Sequence, residues 1–132
     1  MSKIIHQHTI IYAKVKKLPS EVTCQGITDF LNQLVDSIGM KKIFDPIAID
    51  GKFGFTGMVG IVTSHIAFHY FDSDQSLQFD VYSCKEYDLN KLMVFLDSYW
   101  KFETADILVT NRERGLSTKK FIFQNARIEP ND

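Results

Sequence analysis

Four side chains that can act as nucleophiles or proton carriers lie in the middle part of the sequence. Thr56 and Ser64 carry hydroxyls, His69 carries an imidazole and Cys84 carries a thiol. A hydroxyl or thiol beside a base becomes a nucleophile, and an imidazole or thiol can transfer a proton near neutral pH. Ser64 precedes His69 by five positions and Cys84 by twenty. A lone serine is usually only a solvated hydroxyl, so it is the joint spacing that indicates a catalytic site.

The sequence around these residues has a pattern that is typical of one family. It reads Gly54-Phe55-Thr56-Gly57-Met58-Val59-Gly60-Ile61-Val62-Thr63-Ser64-His65-Ile66-Ala67-Phe68-His69, and later Asp80-Val81-Tyr82-Ser83-Cys84. This resembles the processing region of the small bacterial-type S-adenosylmethionine decarboxylases. In that family a glycine and a hydroxyl residue precede a hydrophobic strand. A Glu-Ser-His triplet, a second histidine and an acidic-hydrophobic-aromatic-x-Cys strand follow, and the spacing agrees without a gap.

The resemblance implies an enzyme that makes its own cofactor. The Ser64 hydroxyl attacks the carbonyl of Thr63, the peptide bond becomes an ester, and elimination with hydrolysis leaves a pyruvoyl group at residue 64. His69 assists the elimination, and Thr56 replaces the hydroxyl residue, normally serine, upstream. The pyruvoyl group takes the substrate amine as a Schiff base and serves as the electron sink for decarboxylation. Cys84 then reprotonates the carbanion as a general acid, and the product supplies polyamine (spermidine) biosynthesis.

Two positions depart from the family pattern. Thr63 replaces the glutamate before the cleaved serine, and its β-branched side chain is stiff at χ1. Ser73 stands where the family has a glutamate that binds the ribose hydroxyls of the substrate, with Asp72 beside it. The substrate-binding residues predicted here are therefore Asp72 and Ser73. The nucleoside contact is weaker than in the family, because a serine lacks the charged bidentate acceptor.

This weakening leaves two alternatives open. One is a pyruvoyl-dependent arginine or ornithine decarboxylase on the same scaffold, whose substrate has no ribose. Its cationic end would need an acidic partner, for which Asp72, Asp74 and Asp80 are candidates. The other is a non-processing regulatory homologue that binds a partner decarboxylase.

The elements that must position these residues follow from hydrophobic periodicity. Apolar residues at helical spacing predict helices over Ile27–Ile38, capped by Ser20 or Thr23, and over Leu89–Trp100, capped by Asp88. Strands are predicted over Ile4–Val15, Ile43–Ile49, Phe55–Val62, Ile66–Phe71, Leu77–Cys84, Ile107–Thr110 and Phe121–Ile128. This predicts an α+β fold, a two-layer sandwich of an antiparallel β-sheet with both helices on one face. The other face needs a cover, which predicts a homodimer.

Strand register makes a separate prediction about distances. If Asp72–Gln75 closes a tight hairpin, paired positions sum to about 147, which places residue 83 opposite Ser64 and Cys84 next to it. His69 is different, because five residues of regular strand span about 16 Å and end on the opposite face. His69 can reach Ser64 within one chain only if the strand between them bends or bulges.

Composition limits the other possibilities. The chain has 132 residues, 45% of them hydrophobic, and a formal net charge of −1, which predicts a single domain over 1–132 with no nucleic-acid partner. No apolar run approaches the roughly 20 residues of a membrane span, and the N-terminus does not read as a signal peptide. Two cysteines form no disulfide framework, so we expect a cytoplasmic protein. His6 and His8 share a strand face, but no pattern completes a metal site.

Overall fold

The computed structural model describes residues 5–131, which form an eight-stranded sheet and two α-helices. The strands are β1 Gln7–Val15, β2 Ile47–Asp50, β3 Gly54–Ile61, β4 Ser64–Phe71, β5 Ser76–Ser83, β6 Phe102–Asn111, β7 Ser117–Gln124 and β8 Arg127–Pro130. The helices are α1 Cys24–Ser37 and α2 Leu89–Trp100, and a short 3-10 turn covers Pro19–Glu21.

All neighbouring strands of the sheet are antiparallel, in the order β2-β3-β4-β5-β1-β6-β7-β8. The long β1 lies between β5 and β6, so the first strand of the chain joins the central hairpins to the C-terminal ones. The predicted α+β architecture is confirmed.

Helix α2 has the predicted bounds, while α1 begins three residues before the predicted Ile27 and ends one residue before Ile38. Thr23 is the cap of α1, with its hydroxyl accepting a hydrogen bond from the Gly26 N–H at 3.0 Å. Asp88 caps α2 by accepting from the N–H groups of Asn90 and Lys91. Gly39 follows α1 with a φ of 71°, a left-handed conformation that glycine adopts without steric cost.

The hydrophobic core lies between the helices and one sheet face. Trp100 at the end of α2 is fully buried and packs on Phe30 of α1 and on Phe68 and Tyr70 of β4. Edge-to-face and offset contacts of this kind add to the energy of burial. The alternate residues of β4, which include His65 and His69, are exposed on the other face. This helix-free face, which we call the open face, also exposes apolar side chains at Ile10, Tyr12 and Met58.

Several strand predictions differ from the structure at their bounds. The strand predicted over Ile107–Thr110 is longer and begins at Phe102, and the central strands differ by one or two residues. The first strand begins at Gln7, and the Ile4 end of the predicted segment lies outside the described residues. The strand predicted over Ile43–Ile49 is wrong in its first half. It starts only at Ile47, since Pro46 just before it has no N–H for the ladder. The last predicted strand is two, because Asn125 and Ala126 turn the chain with positive φ.

The β3–β4–β5 ladder tests the predicted register and shows whether the strand bends between Ser64 and His69. The pairs His65–Tyr82 and Ile66–Val81 have the sum of 147 that the hairpin argument requires. In contrast, β4 is a regular strand from Ser64 to Phe71 and pairs with β3 without a break. The bend that His69 would need to reach Ser64 within one chain is therefore absent, because unbroken hydrogen-bonded neighbours on both sides keep the strand straight.

None of the helices in residues 5–131 combines the length and the apolar character that crossing a bilayer requires.

Candidate active site

The turn between β3 and β4 carries Ser64 and the strained residue before it. Val62 and Thr63 alone connect Ile61 to Ser64, which pair as the last rung of the ladder. Two-residue hairpin turns need positive φ, which Gly, Asn and Asp supply most easily. Here Thr63 adopts a φ of 53°. For a β-branched residue this conformation is a true outlier and stores on the order of 1–3 kcal/mol of strain beside the Thr63–Ser64 bond.

Cys84 contacts both sides of that peptide bond. Its backbone N–H donates to the Ser64 Oγ at 3.0 Å, and its thiol contacts the Thr63 hydroxyl. The Thr63 contact is the main reason that the pKa of the thiol lies below its ordinary value. Partial burial opposes this effect, while hydrogen bonds with Ser64 and the nearby charge of Lys85 add to it. The structure thus brings together Thr63, Ser64 and Cys84, a group that we call the cleavage end.

Thr56 and His69 form a second group. They are directly opposed on β3 and β4, and the Thr56 hydroxyl lies 2.9 Å from His69 Nδ1. Hydrogen bonding to the hydroxyl orients the imidazole and leaves its Nε2 free to exchange a proton. The pairing is a direct consequence of the β3–β4 register, in which paired positions sum to 125.

Asp72 and Ser73 follow His69 in the β4–β5 turn. The Asp72 N–H donates to the Phe53 carbonyl at 2.9 Å, which draws the turn toward β3. Asp72 Oδ1 is buried, and no donor within the described chain reaches it. A buried carboxylate oxygen without a hydrogen-bond partner is energetically costly. Ser73 is exposed.

Burial, and after it the field of the Asp72 carboxylate, raises the pKa of Tyr70 to about 12. Tyr70 therefore stays protonated at neutral pH, and its hydroxyl donates to the Lys17 carbonyl at 3.0 Å.

A small cleft adjoins the second group. It has a volume of about 200 Å³, and its walls include Thr56 and His69 together with the aromatic residues Phe53, Phe55 and Phe71. Gly54 also lines the cleft. A larger residue does not fit at this position, because a Cβ there would lie 1.8 Å from the Tyr70 carbonyl oxygen. We call Thr56, His69, Asp72 and this cleft the aromatic end. Sites for drug-sized ligands usually enclose about 300–1,000 Å³, so the cleft by itself does not enclose a nucleoside.

The cleavage end and the aromatic end lie at opposite ends of the β3–β4 hairpin. Along the regular strand β4, His69 is about 16 Å from Ser64, and Asp72 is about 26 Å away. Strand alternation also puts Ser64 and His69 on opposite faces. Of the residues predicted for one site, the structure therefore unites Thr63, Ser64 and Cys84, and separately Thr56 and His69, with Asp72 following in the adjacent turn.

One cluster near Ser64 is not predicted by the sequence pattern. Asp80 on the open face contacts His8 Nε2, and its Oδ1 lies 3.8 Å from His65 Nε2. Tyr82 packs against the rings of both histidines. The strand register is enough to predict part of this cluster, because paired positions that sum to 147 place His65 opposite Tyr82. No set of three or more His, Cys, Asp or Glu side chains in residues 5–131 is arranged to hold a metal ion.

Comparison with known proteins identifies a family and a fold. The family model described as S-adenosylmethionine decarboxylase matches residues 12–114. No curated protein matches the chain. The crystal structure of the adenosylmethionine decarboxylase from Aquifex aeolicus VF5 superposes with a TM-score of 0.69 at 20% identity, covering 84% of this chain and 92% of that one. At this identity the structural match establishes the fold alone.

Proposed function

We propose, on the premise that this chain belongs to the S-adenosylmethionine decarboxylase family, that it cuts itself at Ser64 and becomes a pyruvoyl-dependent decarboxylase. The observation that carries the proposal is the cleavage end. A strained threonine precedes the serine, and Cys84 holds both residues of the peptide bond.

The first step of the proposed cleavage uses the Ser64 hydroxyl. Its oxygen attacks the Thr63 carbonyl carbon, and the peptide bond is exchanged for an ester. The left-handed backbone at Thr63 favours this rearrangement, because breaking the peptide bond releases the strain. The Cys84 N–H at 3.0 Å fixes the position of the attacking oxygen. A base then removes the proton on the Ser64 Cα, and the Ser64 Oγ–Cβ bond breaks to release the Thr63 carboxylate.

The same residues fit a pyruvoyl group at position 64. This group, when formed, binds the substrate amine and accepts the electrons that the departing CO₂ leaves behind. Cys84 is half-buried and next to that position, so its thiol can hold a proton and deliver it to the substrate α-carbon. Both cysteines are free thiols, and we place the protein in the cytoplasm, where a reducing environment keeps them so.

The separation of the two ends leads us to propose a homodimer with composite sites. His69 lies about 16 Å from Ser64 of its own chain, too far for proton transfer. The open face exposes Ile10, Tyr12 and Met58, apolar residues that a second copy could bury. We propose that a twofold axis brings the cleavage end of one chain to the aromatic end of its partner. Each site would then use Ser64 and Cys84 of one chain with Thr56, His69 and Asp72 of the other.

We propose S-adenosylmethionine as the substrate. Asp72 follows His69 in the β4–β5 turn, and a carboxylate there can accept hydrogen bonds from ribose hydroxyls. Phe53, Phe55 and Phe71 offer faces on which a purine can stack. Two of the three acids that could bind a basic amino acid are already engaged. Asp74 bonds Ser76 and Lys14, and Asp80 contacts His8. Decarboxylated S-adenosylmethionine would supply polyamine biosynthesis.

Two measurements on purified protein test the proposal. A denaturing mass spectrum should show two fragments split after Thr63, the larger with a pyruvoyl terminus, while Ser64→Ala stays intact. Release of ¹⁴CO₂ from carboxyl-labelled S-adenosylmethionine should exceed release from arginine, ornithine and lysine. If the chain cleaves but ¹⁴CO₂ is released only from arginine or ornithine, that amino acid is the substrate and S-adenosylmethionine is not. A chain that stays intact and inactive would overturn the enzymatic function and favour a regulatory homologue.

A further inference from the structure

The contact between Thr63 and Cys84 joins a residue that the proposed cleavage alters to the thiol that the proposed turnover needs. We propose that Thr63 is a positioning residue for Cys84, and that it acts on the thiol proton in opposite senses before and after the chain is cut. The second half of this proposal rests on the proposed function. The first half concerns the intact chain alone.

In the intact chain the threonine hydroxyl can stabilise either form of the thiol. With a neutral thiol, the Cys84 S–H donates to Thr63 Oγ1 while the hydroxyl donates to the Val62 carbonyl at 2.7 Å. With a thiolate, the hydroxyl turns and donates to the sulfur. A hydrogen bond to the charged form favours that form, which is the sense in which the thiol pKa is lowered here.

The other groups around the thiol have smaller effects than Thr63. Burial raises the pKa of the thiol, while Ser64 and Lys85 lower it. Lys85 is the adjacent charged residue, and its ammonium is drawn to the Gly39 carbonyl at 3.1 Å. Just before β1, Ile5 contributes only a backbone N–H to the Cys84 carbonyl. His65 and Asp80 lie on the open face and contact each other there. Val62, Thr63 and Ser64 bring no charge to the thiol in the intact chain.

Cleavage changes Thr63 from a neutral neighbour into an anion. When the ester is eliminated, the Ser64 Oγ leaves with the Thr63 carbonyl group, and Thr63 ends in a carboxylate. The two residues before it keep contacts that do not involve Ser64, so they hold the new chain end near Cys84 after the cut. The preceding Val62 donates its N–H to the Lys41 carbonyl at 3.1 Å, and Ile61 bridges to Lys42. A carboxylate held beside the thiol disfavours the thiolate, so Cys84 keeps the proton that a general acid must deliver.

Alkylation of Cys84 by iodoacetamide measures the thiol proton without any turnover. Only the thiolate reacts, so the pH dependence of the rate reports ionisation. Peptide mass spectrometry reads Cys84 and Cys24 in the same sample, and Cys24 on α1 serves as the internal control. The parent is Ser64→Ala, which stays intact, compared with Ser64→Ala/Thr63→Val and Ser64→Ala/Thr63→Ser.

Valine keeps the β-branch and lacks the hydroxyl, whereas serine keeps the hydroxyl. We expect the valine variant to alkylate Cys84 about fivefold more slowly at neutral pH, because it loses a charge-assisted hydrogen bond to the thiolate but only a weaker, neutral one to the thiol, with Cys24 unchanged. The serine variant should match the parent. Equal Cys84 profiles for the valine variant and the parent would overturn the first half of the proposal.

The cleaved wild-type protein tests the second half. Its Cys84 should need a higher pH for alkylation than Cys84 of intact Ser64→Ala. If Cys84 of fully cleaved protein is alkylated at the same pH as in intact Ser64→Ala, or at a lower one, this half of the proposal is wrong. The proposed decarboxylase function is unaffected by that result. A wild-type chain that never cleaves would overturn this half together with the proposed function, while the Thr63→Val comparison still decides the first half.

Discussion

The cleavage end and the aromatic end of the β3–β4 hairpin are built on different principles. At the cleavage end, two residues turn the chain, Thr63 takes a strained conformation, and a thiol touches the residue before Ser64. At the aromatic end, Thr56 and His69 are paired in a regular ladder beside a cleft of phenylalanines. A bond that must break benefits from strain, whereas a base and a binding surface must be held in one geometry.

Neither end is a complete active site. The cleavage end has a nucleophile and a proton donor but no histidine, since His65 turns to Asp80 on the open face. The aromatic end has an imidazole and an acidic acceptor but no residue that could become a pyruvoyl group. The straight β4 strand keeps them apart, which is why we propose that each site combines the two ends from different chains.

The largest expected effect comes from combining one defect at each end. We expect Ser64→Ala and His69→Ala homodimers to stay uncut. Heterodimers of the two, isolated with two different affinity tags after co-expression, should cut the His69→Ala chain and leave the Ser64→Ala chain intact. About half of all chains are then cleaved, because one composite site is wild type and the other carries both defects.

Denaturing mass spectrometry distinguishes the two variants by mass. Absence of cleavage in the heterodimer would place His69 and Ser64 in one chain and refute the composite site. Rapid cleavage of the His69→Ala homodimer would instead show that cleavage does not require His69.

A change at the cleavage end that spares Ser64 should separate processing from turnover. We expect Cys84→Ala to cut itself to completion, since the Ser64 hydroxyl and the Cys84 backbone N–H remain. Its decarboxylation should be slower by about 100-fold or more, the usual loss of a general acid. Fragment masses and ¹⁴CO₂ release on the same preparation check this. Turnover at the wild-type rate would mean that another acid delivers the proton.

A carboxylate added at the aromatic end should affect binding alone. We expect Ser73→Glu to lower the KM for S-adenosylmethionine about tenfold, because a charged hydrogen bond contributes about 1.5–3 kcal/mol. The matched control is Ser73→Gln, which has the same length without the charge. Cleavage at Ser64 should not change in either variant, because residue 73 takes no part in the proposed cleavage steps. An unchanged KM in Ser73→Glu would indicate that Asp72 already binds the ribose hydroxyls or that the substrate contains no ribose.

The smallest effect is expected from the hydrogen bond that orients His69. Thr56→Val removes the hydroxyl with little change in shape, and we expect cleavage about fivefold slower, as for one neutral hydrogen bond. Thr56→Ser keeps the hydroxyl and should cleave at nearly the wild-type rate. Time courses of fragment formation measure both. Equal rates for the valine and serine variants would show that the ladder alone orients the imidazole.

Local sequence decided much of this molecule. Helical periodicity with Thr23 and Asp88 caps gave both helices, and alternation gave the central strands, because these patterns act over a few residues. The hairpin at Asp72–Gln75 was enough to pair residues 65 and 82 and to bring Cys84 to Ser64. Register depends only on turn position and strand periodicity, so it can be counted along the chain.

The remaining features depended on tertiary structure. The sequence left open whether β4 bends, and the strand is straight because neighbours on both sides complete its ladder. The left-handed Thr63, its contact with Cys84 and the unpartnered Asp72 Oδ1 also carry no sequence signal. In each case the surrounding structure holds a residue in a conformation or environment that is unfavourable for that residue alone. Such unfavourable terms cannot be predicted from neighbouring residues in the sequence, because they arise only in the assembled fold.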